Sequence, residues 1–548
     1  MLWATWADAL GFISELTDEV GLKRRLNGRA LVNPLPWTRR VGGQYGAEVL
    51  LPAGCYSDDT QLRLSTARAI SNSGFDVEAF ARVELAVWPN YALGGGRASK
   101  AAAAHVAKTA APWYGNFFSG WQQAGGNGAA MRIQPHVWSA SEPASLQSHI
   151  GDLLSNSITT HGHMRALVGA VLHAVALGNA IEEGRAPALE DWHELLNRAA
   201  EAVALFDDVP QLATVWRPTW ERDAKEPLPE AWAAVIDECR RSISSVQEIV
   251  ERLRSCDIST EDEPYEELIT CLQLRDKAVR GSGTSTVIAA LALSSAFPEN
   301  PARAARLASR ALGTDTDTIA TMAAAVCGAS EGVPDVPKSE ILDYRYMVSE
   351  ANRLTDISFG LPAPSFSYPD LLHWTPPRSQ VDAVGRAGNR FALAGIGWLE
   401  QIEGTPTSRV RDTEWLWTRA DFGASFLVKR REDVRELPEW NHPVRRASMT
   451  NASPANALER ASVQEELVSV PRVSSKVRPR DNSGLTGSGR RTNVSQIDID
   501  TEDILAWVAK RNYSEDAIGY AVRRLSEAGS LEQLITFVVA TRRHFNDD

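Results

Sequence analysis

Cysteine is scarce in this chain of 548 residues: there are five, at positions 55, 239, 256, 271 and 327, odd in number and scattered. No CxxC pair or Cys/His spacing of a zinc site is present, and a disulfide framework does not suit so long a chain. The thiols therefore read as reduced, in a cytoplasmic protein. A long, clean apolar run is also missing from this reading, so no segment is expected to cross a bilayer. The opening MLWATWADALGF lacks the basic segment, apolar run and small-residue cleavage site of a secretory signal. Basic charge is in the minority too. Lys and Arg number 57 against 69 Asp and Glu, a formal net charge of −12. That excludes a global positive footprint tracking a phosphate backbone, so neither nucleic acid nor a membrane is indicated as a partner.

What is abundant is helix. Segments such as EAFARVELAVW, HMRALVGAVLHAVAL and AWAAVIDECRRSISSVQEIVERL carry apolar residues at three- and four-residue spacing. Alanine-rich ASKAAAAHVAK and TIATMAAAVCGA permit close helix–helix approach. Residues 1–357 are expected to form an all-α domain. Over 358–442 the texture changes to proline-broken stretches and alternating aromatic and β-branched residues around glycine turns, the signature of a small β-rich module. Trp374, Trp398, Trp415 and Trp417 fall there and read as the core of a small sheet. Residues 443–496 are polar and rich in Ser, Arg, Pro and Gly, with basic pairs Arg478/Arg480 and Arg490/Arg491, and read as a flexible linker. Residues 497–548 predict three short amphipathic helices, with Ser514 as an N-cap and a capping box at Ser530 and Gln533. Ile504, Val508, Ile518, Val522, Leu534 and Val538 would make their shared core. A small tethered bundle of this kind serves docking or self-association.

Chemistry gathers at two acidic turns. In LPAGCYSDDTQLRL a hydroxyl and two aspartates, Ser57-Asp58-Asp59, open a helix; in LGTDTDTIATMAAAVCGASEG, Asp315, Asp317 and Thr318 open another. Each alone reads as a helix cap, because oxygen acceptors satisfy orphan N–H groups and acidic residues suit the dipole. Four carboxylates buried together without cations would repel one another. Oxygen donors of this kind suit Mg²⁺ or Mn²⁺ rather than zinc. Spacing alone does not say whether the two turns meet.

The order of motifs resembles the ADP-ribosylglycohydrolase family, which includes the dinitrogenase-reductase-activating glycohydrolase. WADALGFISE is similar to the family's opening Gly-Asp-Ala-Leu-Gly-x-x-x-Glu, and LPAGCYSDDTQLRL to Gly-x-x-Thr-Asp-Asp-Thr. AGGNGAAMRIQP matches Gly-Asn-Gly-x-Ala-Met-Arg-x-x-Pro, TTHGHMRALVGA a Thr-His segment before a Gly-Ala helix, and GSGTSTVIAAL a later glycine turn. LGTDTDTIATMAAAVCGASEG resembles Gly-Gly-Asp-Thr-Asp-Thr-Ile-Ala. The likeness runs to about residue 355 and does not reach the β-rich module or the tail.

The resemblance implies an orthogonal helical catalytic domain holding two Mg²⁺ or Mn²⁺ ions. Their ligands would be Ser57, Asp58, Asp59, Asp315, Asp317 and Thr318, with Glu15, Asp58 and Asp317 carrying the chemistry. Gly125, Gly126, Asn127, Gly128, His161 and Ser282 would bind ADP-ribose. His163 reads equally as structural or functional. Ser57 replaces the family's usual threonine, Thr314 stands where Asp or Gly is frequent, and Ala7 replaces the opening glycine. The implied activity is metal-dependent hydrolysis of the N- or O-glycosidic bond between ADP-ribose and an acceptor. The competing reading is a non-catalytic ADP-ribose or nucleotide sensor whose C-terminal module docks a partner.

Overall fold

The computed structural model describes residues 1–43, 45–330 and 335–444, then the helix Thr501–Ala509 and individual positions up to 541. They belong to two compact units, Met1–Ser453 and Pro454–Asp548.

The first unit is built around a helix with no solvent face. Every residue of Leu2–Ser14 is buried, as expected of a helix apolar on all sides. It lies against Pro301–Arg310 and Thr316–Cys327, which in turn pack on Gly283–Ala296 and Met164–Glu183. Small residues set the spacing: Ala4, Ala7, Ala320, Ala323 and Ala324 are all fully enclosed. The few polar side chains in this layer satisfy one another. Thr321 donates to the Ala4 carbonyl at 2.7 Å, and Arg63 donates to Thr321 Oγ1 at 2.6 Å. One expectation is corrected here. Met164–Glu183 is by length and mean hydropathy (1.5) apolar enough to cross a membrane, whereas the sequence reading found no such segment. Its most apolar window is 83% buried, so the hydropathy is that of a core helix.

The helical reading of residues 1–357 holds except at two antiparallel hairpins. Trp37–Val41 (β1) pairs with Ala47–Leu51 (β2) around Gly42-Gly43, and Ile70–Ser71 (β3) pairs with Gly74–Phe75 (β4). The expected β-rich segment is an antiparallel sheet of Val384–Ala387 (β5), Arg390–Leu393 (β6), Gly397–Gln401 (β7), Ser408–Val410 (β8), Thr413–Ala420 (β9) and Ser425–Arg431 (β10). Its order is β10–β9–β7–β6–β5, with β8 also on β9. Trp374, Trp415 and Trp417 are buried and Trp398 is half-buried.

The sheet shares one apolar core with the helices. Hydrogen bonds seal the join: Trp417 Nε1 to the Leu50 carbonyl at 3.1 Å, Trp374 Nε1 to the Arg82 carbonyl at 2.7 Å, and Asn90 Nδ2 to the carbonyls of Gln380 and Lys429, both at 2.6 Å.

In the second unit Val508, Ala521, Leu525 and Phe537 are buried, with Ile504, Ile518 and Val522 packed on them. Val538, expected in that core, is exposed; its neighbour Phe537 takes the inward position instead. The linker with its basic pairs, and Ser514, Ser530 and Leu534, lie outside the described residues.

Candidate active site

The two acidic turns meet. Glu15, Asp58, Asp59, Asp315, Asp317 and Thr318 line one cavity of about 550 Å³ together with Gly125–Gly128 and His161. Helix starts bring the aspartates there: Asp58 and Asp59 open Asp58–Arg68, and Asp315 stands just before Thr316–Cys327 with its side chain free of any capping bond, with Asp317 in the first turn. Glu15 terminates the first helix. Ser57 and Ser282 are not on the cavity wall. Ser57 Oγ accepts from the Asp59 N–H at 3.1 Å as the helix cap, and Ser282 forms a bridge with Gly126 beneath the glycine loop.

A residue the sequence reading passed over positions the first turn. Asp8, buried within the first helix, accepts from the Ser57 and Thr60 N–H groups, both at 3.0 Å. It thereby satisfies the start of a helix 49 positions away. The signal was available: an aspartate inside a helix otherwise apolar all round needs buried donors. Gly94, at φ +130°, lets the chain pass so close that a Cβ there would collide with Asp58 Oδ1.

The second turn is held by Gly11. A Cβ on Gly11 would lie 2.5 Å from both the Asp317 Cα and the Thr316 carbonyl oxygen. Thr316 Oγ1 donates to the Gly11 carbonyl at 2.9 Å. We expect Gly11→Ala to cost about 1–3 kcal/mol despite alanine's better helix propensity. By moving Asp317 it should also reduce turnover about tenfold or more. Denaturant melts and steady-state rates on one preparation check both.

Asn127 joins the loop to the carboxylates. Its Nδ2 donates to Asp315 Oδ2 at 3.0 Å and Thr286 Oγ1 at 3.2 Å, while its N–H donates to the Gly281 carbonyl at 2.8 Å. Gly128 has room only for hydrogen: a Cβ would stand 2.9 Å from the His161 ring and 3.0 Å from Ser99 Oγ. His161 shares a 2.7 Å hydrogen bond between Nδ1 and Thr160 Oγ1, and burial, helped by the Arg132 charge, pushes its pKa down to about 3. It is a neutral imidazole at working pH. His163 caps Met164–Glu183, its Nδ1 accepting from the Arg165 N–H at 3.1 Å. Arg39, also missed in the sequence, sits on β1 and pairs with Glu15 Oε2 at 3.2 Å while stacking 4.3 Å over Phe12.

Burial and mutual repulsion govern the carboxylates of the cavity. Burial, then repulsion from Glu15 and Asp8, raises Asp58 to a pKa of about 7, against the pull of Lys100 and the Gly95 N–H. Burial and neighbouring carboxylates likewise raise Asp59 and Asp317 well above the ordinary range. Burial also raises Glu15, against the pull of Arg39. Asp59 Oδ2 is buried without a hydrogen-bond partner among the described residues. As placed, no three His, Cys, Asp or Glu side chains among the described residues already stand as a ready metal cluster. The donor set is nonetheless all oxygen, anionic, mutually repelling and in part orphaned, and so fits hard divalent cations in kind.

In this helical domain, aspartates gathered at helix N-termini face a glycine-rich loop across one cavity. Residues 2–361 match the family model of the ADP-ribosylglycohydrolases, and the chain belongs to that family. The family is generally metal-dependent. The chain is 30% identical over 213 residues to a protein of Escherichia coli (strain K12) named uncharacterized protein YegU; the match covers 38% of this chain and about half of that relative's length. A solved structure described as an ADP-ribosylglycohydrolase-related protein complex is similar at 21% identity and TM-score 0.37, over 65% of this chain and 95% of that one.

Proposed function

We propose that this protein hydrolyses the bond joining C1″ of an ADP-ribosyl group to an acceptor, using two Mg²⁺ or Mn²⁺ ions, in the cytoplasm. The observation that carries the reading is the convergence of Glu15, Asp58, Asp59, Asp315 and Asp317 with the Gly125–Gly128 loop in one cavity.

In the reaction the C1″–acceptor bond breaks and the acceptor leaves with the electron pair and gains a proton. Water oxygen bonds to C1″ and gives up a proton. Asp58, Asp59, Asp315, Asp317 and Thr318 would hold the ions, whose chemistry when bound is to bind the ribose diol and orient the water. Gly125, Gly126 and Gly128 place bare backbone on the cavity wall, where a diphosphate would approach it. His161, neutral, lies beside the ADP-ribose without adding charge. Arg39 holds Glu15 Oε2 in place, leaving Oε1 to take the water's proton.

The test is calorimetry with ADP-ribose beside a turnover assay on a panel of ADP-ribosylated acceptors. Binding with release supports the reading; binding with no release from any acceptor favours a sensor. We assign docking or self-association to the C-terminal helical module. Truncation before residue 443 should leave hydrolysis of a small model substrate within about twofold of the full chain while changing assembly. Light scattering and initial rates on both forms decide it; loss of all activity would mean that the tail completes the site.

A further inference from the structure

A second cavity, of about 850 Å³, lies next to the first. Its walls carry six cations, Arg39, Arg40, Lys100, Lys108, Arg378 and Lys429, and no acidic side chain. This runs against the balance of the whole chain, which has 69 acidic residues against 57 Lys and Arg. Arg39 is paired with Glu15, and Arg40 with Glu48 at 3.0 Å. The other four have no carboxylate within salt-bridge distance among the described residues. Lys429 is half-buried, donates to Gln380 Oε1 at 2.5 Å, and is held by burial below the ordinary lysine pKa. Positive charges gathered along one cleft with no acidic side chain on its wall attract an anion.

The cavity is built rather than incidental. Asn90 ties the backbones of Gln380 and Lys429 to the helical body through the two 2.6 Å bonds already described. Trp415 and Leu427 add an apolar wall. Residues 375–380, Trp415, Leu427 and Lys429 all lie beyond residue 361, where the family match ends. One wall of this pocket therefore comes from outside the matched domain and the other from within it.

Its position relates it to the chemistry. The turn Gly94–Gly96 runs between the two cavities, with Gly94 lining the basic one and Gly95 and Gly96 the acidic one. Arg39 faces the basic cavity and pairs with Glu15 of the acidic one; Lys100 lines the basic cavity and acts electrostatically on Asp58. The turn is a shared wall: Gly94 lines the basic cavity and packs directly against Asp58 of the acidic one.

Resting on the proposed hydrolysis, we infer that the basic cavity is the acceptor subsite and takes a phosphate-bearing acceptor of nucleotide size. The volume is in the range of small-ligand pockets. Phosphate oxygens match the unpaired cations, and Trp415 supplies an aromatic wall for a ring.

Lys108 and Arg378 are exposed on the rim, so reversing them leaves the core untouched. The experiment compares the full-length wild type with Lys108→Glu/Arg378→Glu and, separately, Lys429→Gln. Calorimetry with uridine 5′-monophosphate, without added divalent ions, reads the cavity directly. Turnover of an ADP-ribosylated acceptor with and without its phosphate reads the preference. The expected result is binding by the wild type, weakened about tenfold or more in the double variant, with an equal fall in the preference for the phosphorylated acceptor. A wild type that does not bind the nucleotide, or variants that bind it equally and keep the preference, would overturn the assignment. If the wild type releases ADP-ribose from neither substrate, the proposed hydrolysis fails, and the nucleotide titration still decides the cavity.

Discussion

Asp58→Asn and Asp317→Asn are each expected to lower ADP-ribose release by about a thousandfold or more, equivalent to about 4 kcal/mol of transition-state stabilisation. Each removes an anionic oxygen from a donor set that depends on charge to hold cations. The same changes should not harm the fold. Asp58 is pushed up to about 7 by burial and by repulsion from Glu15 and Asp8, so the metal-free wild type carries an unfavourable concentration of charge. Asparagine keeps the shape and an acceptor for the Gly95 N–H while removing the repulsion. Metal-free Asp58→Asn should thus melt at or above the wild-type temperature, the trade expected where stability yields to function. Kinetics and thermal melts on the same samples check the pair. Wild-type turnover in either variant, or an Asp58→Asn protein unfolded before the wild type, would count against this account.

Glu84→Ala is expected to destabilise the first unit by about 3–5 kcal/mol, the usual result of leaving one member of a buried ion pair behind. Arg68 ends the helix that Asp58 begins. Its guanidinium grips Glu84 through Nε–Oε1 and Nη2–Oε2 contacts of 2.7 Å each, with 1% and 0% of the two side chains exposed. Tyr368 donates to Glu84 Oε1 at 2.9 Å, and Arg68 lies 5.7 Å from the centres of the Phe366 and Phe422 rings. One end of this helix carries the reactive carboxylates and the other anchors the segment leading to the sheet. Equilibrium denaturation should show the loss, while the double change Arg68→Met/Glu84→Leu should recover most of it, because no charge is then stranded. A single-variant loss below about 1 kcal/mol would show that the pair contributes little.

Much of this was legible along the chain. Helical periodicity located the body, and the motif order named the two acidic turns and the Gly125–Gly128 loop, because each motif is contiguous and its chemistry local. What escaped was made by chain segments distant from each other. Asp8 was visible as a residue but not as a cap, since its partners stand 49 and 52 positions on. Arg39 gains meaning only from Glu15 across a hairpin that went unread, although Ala47–Leu51 alternates buried and exposed and Gly42-Gly43 precedes it. The basic cavity draws its cations from four separate regions, so no local run of charge announces it. In the tail, Phe537 and Val538 are adjacent, and a quarter-turn of helix phase decided which one faced inward.

The central claim is that the two acidic turns act as one cation-dependent hydrolytic centre. Its most direct test is ADP-ribose release by the full-length protein, followed with excess chelator and again after Mg²⁺ or Mn²⁺ is restored. The account predicts release that stops with the chelator and returns with the cation. Release that continues unchanged in chelator would contradict it.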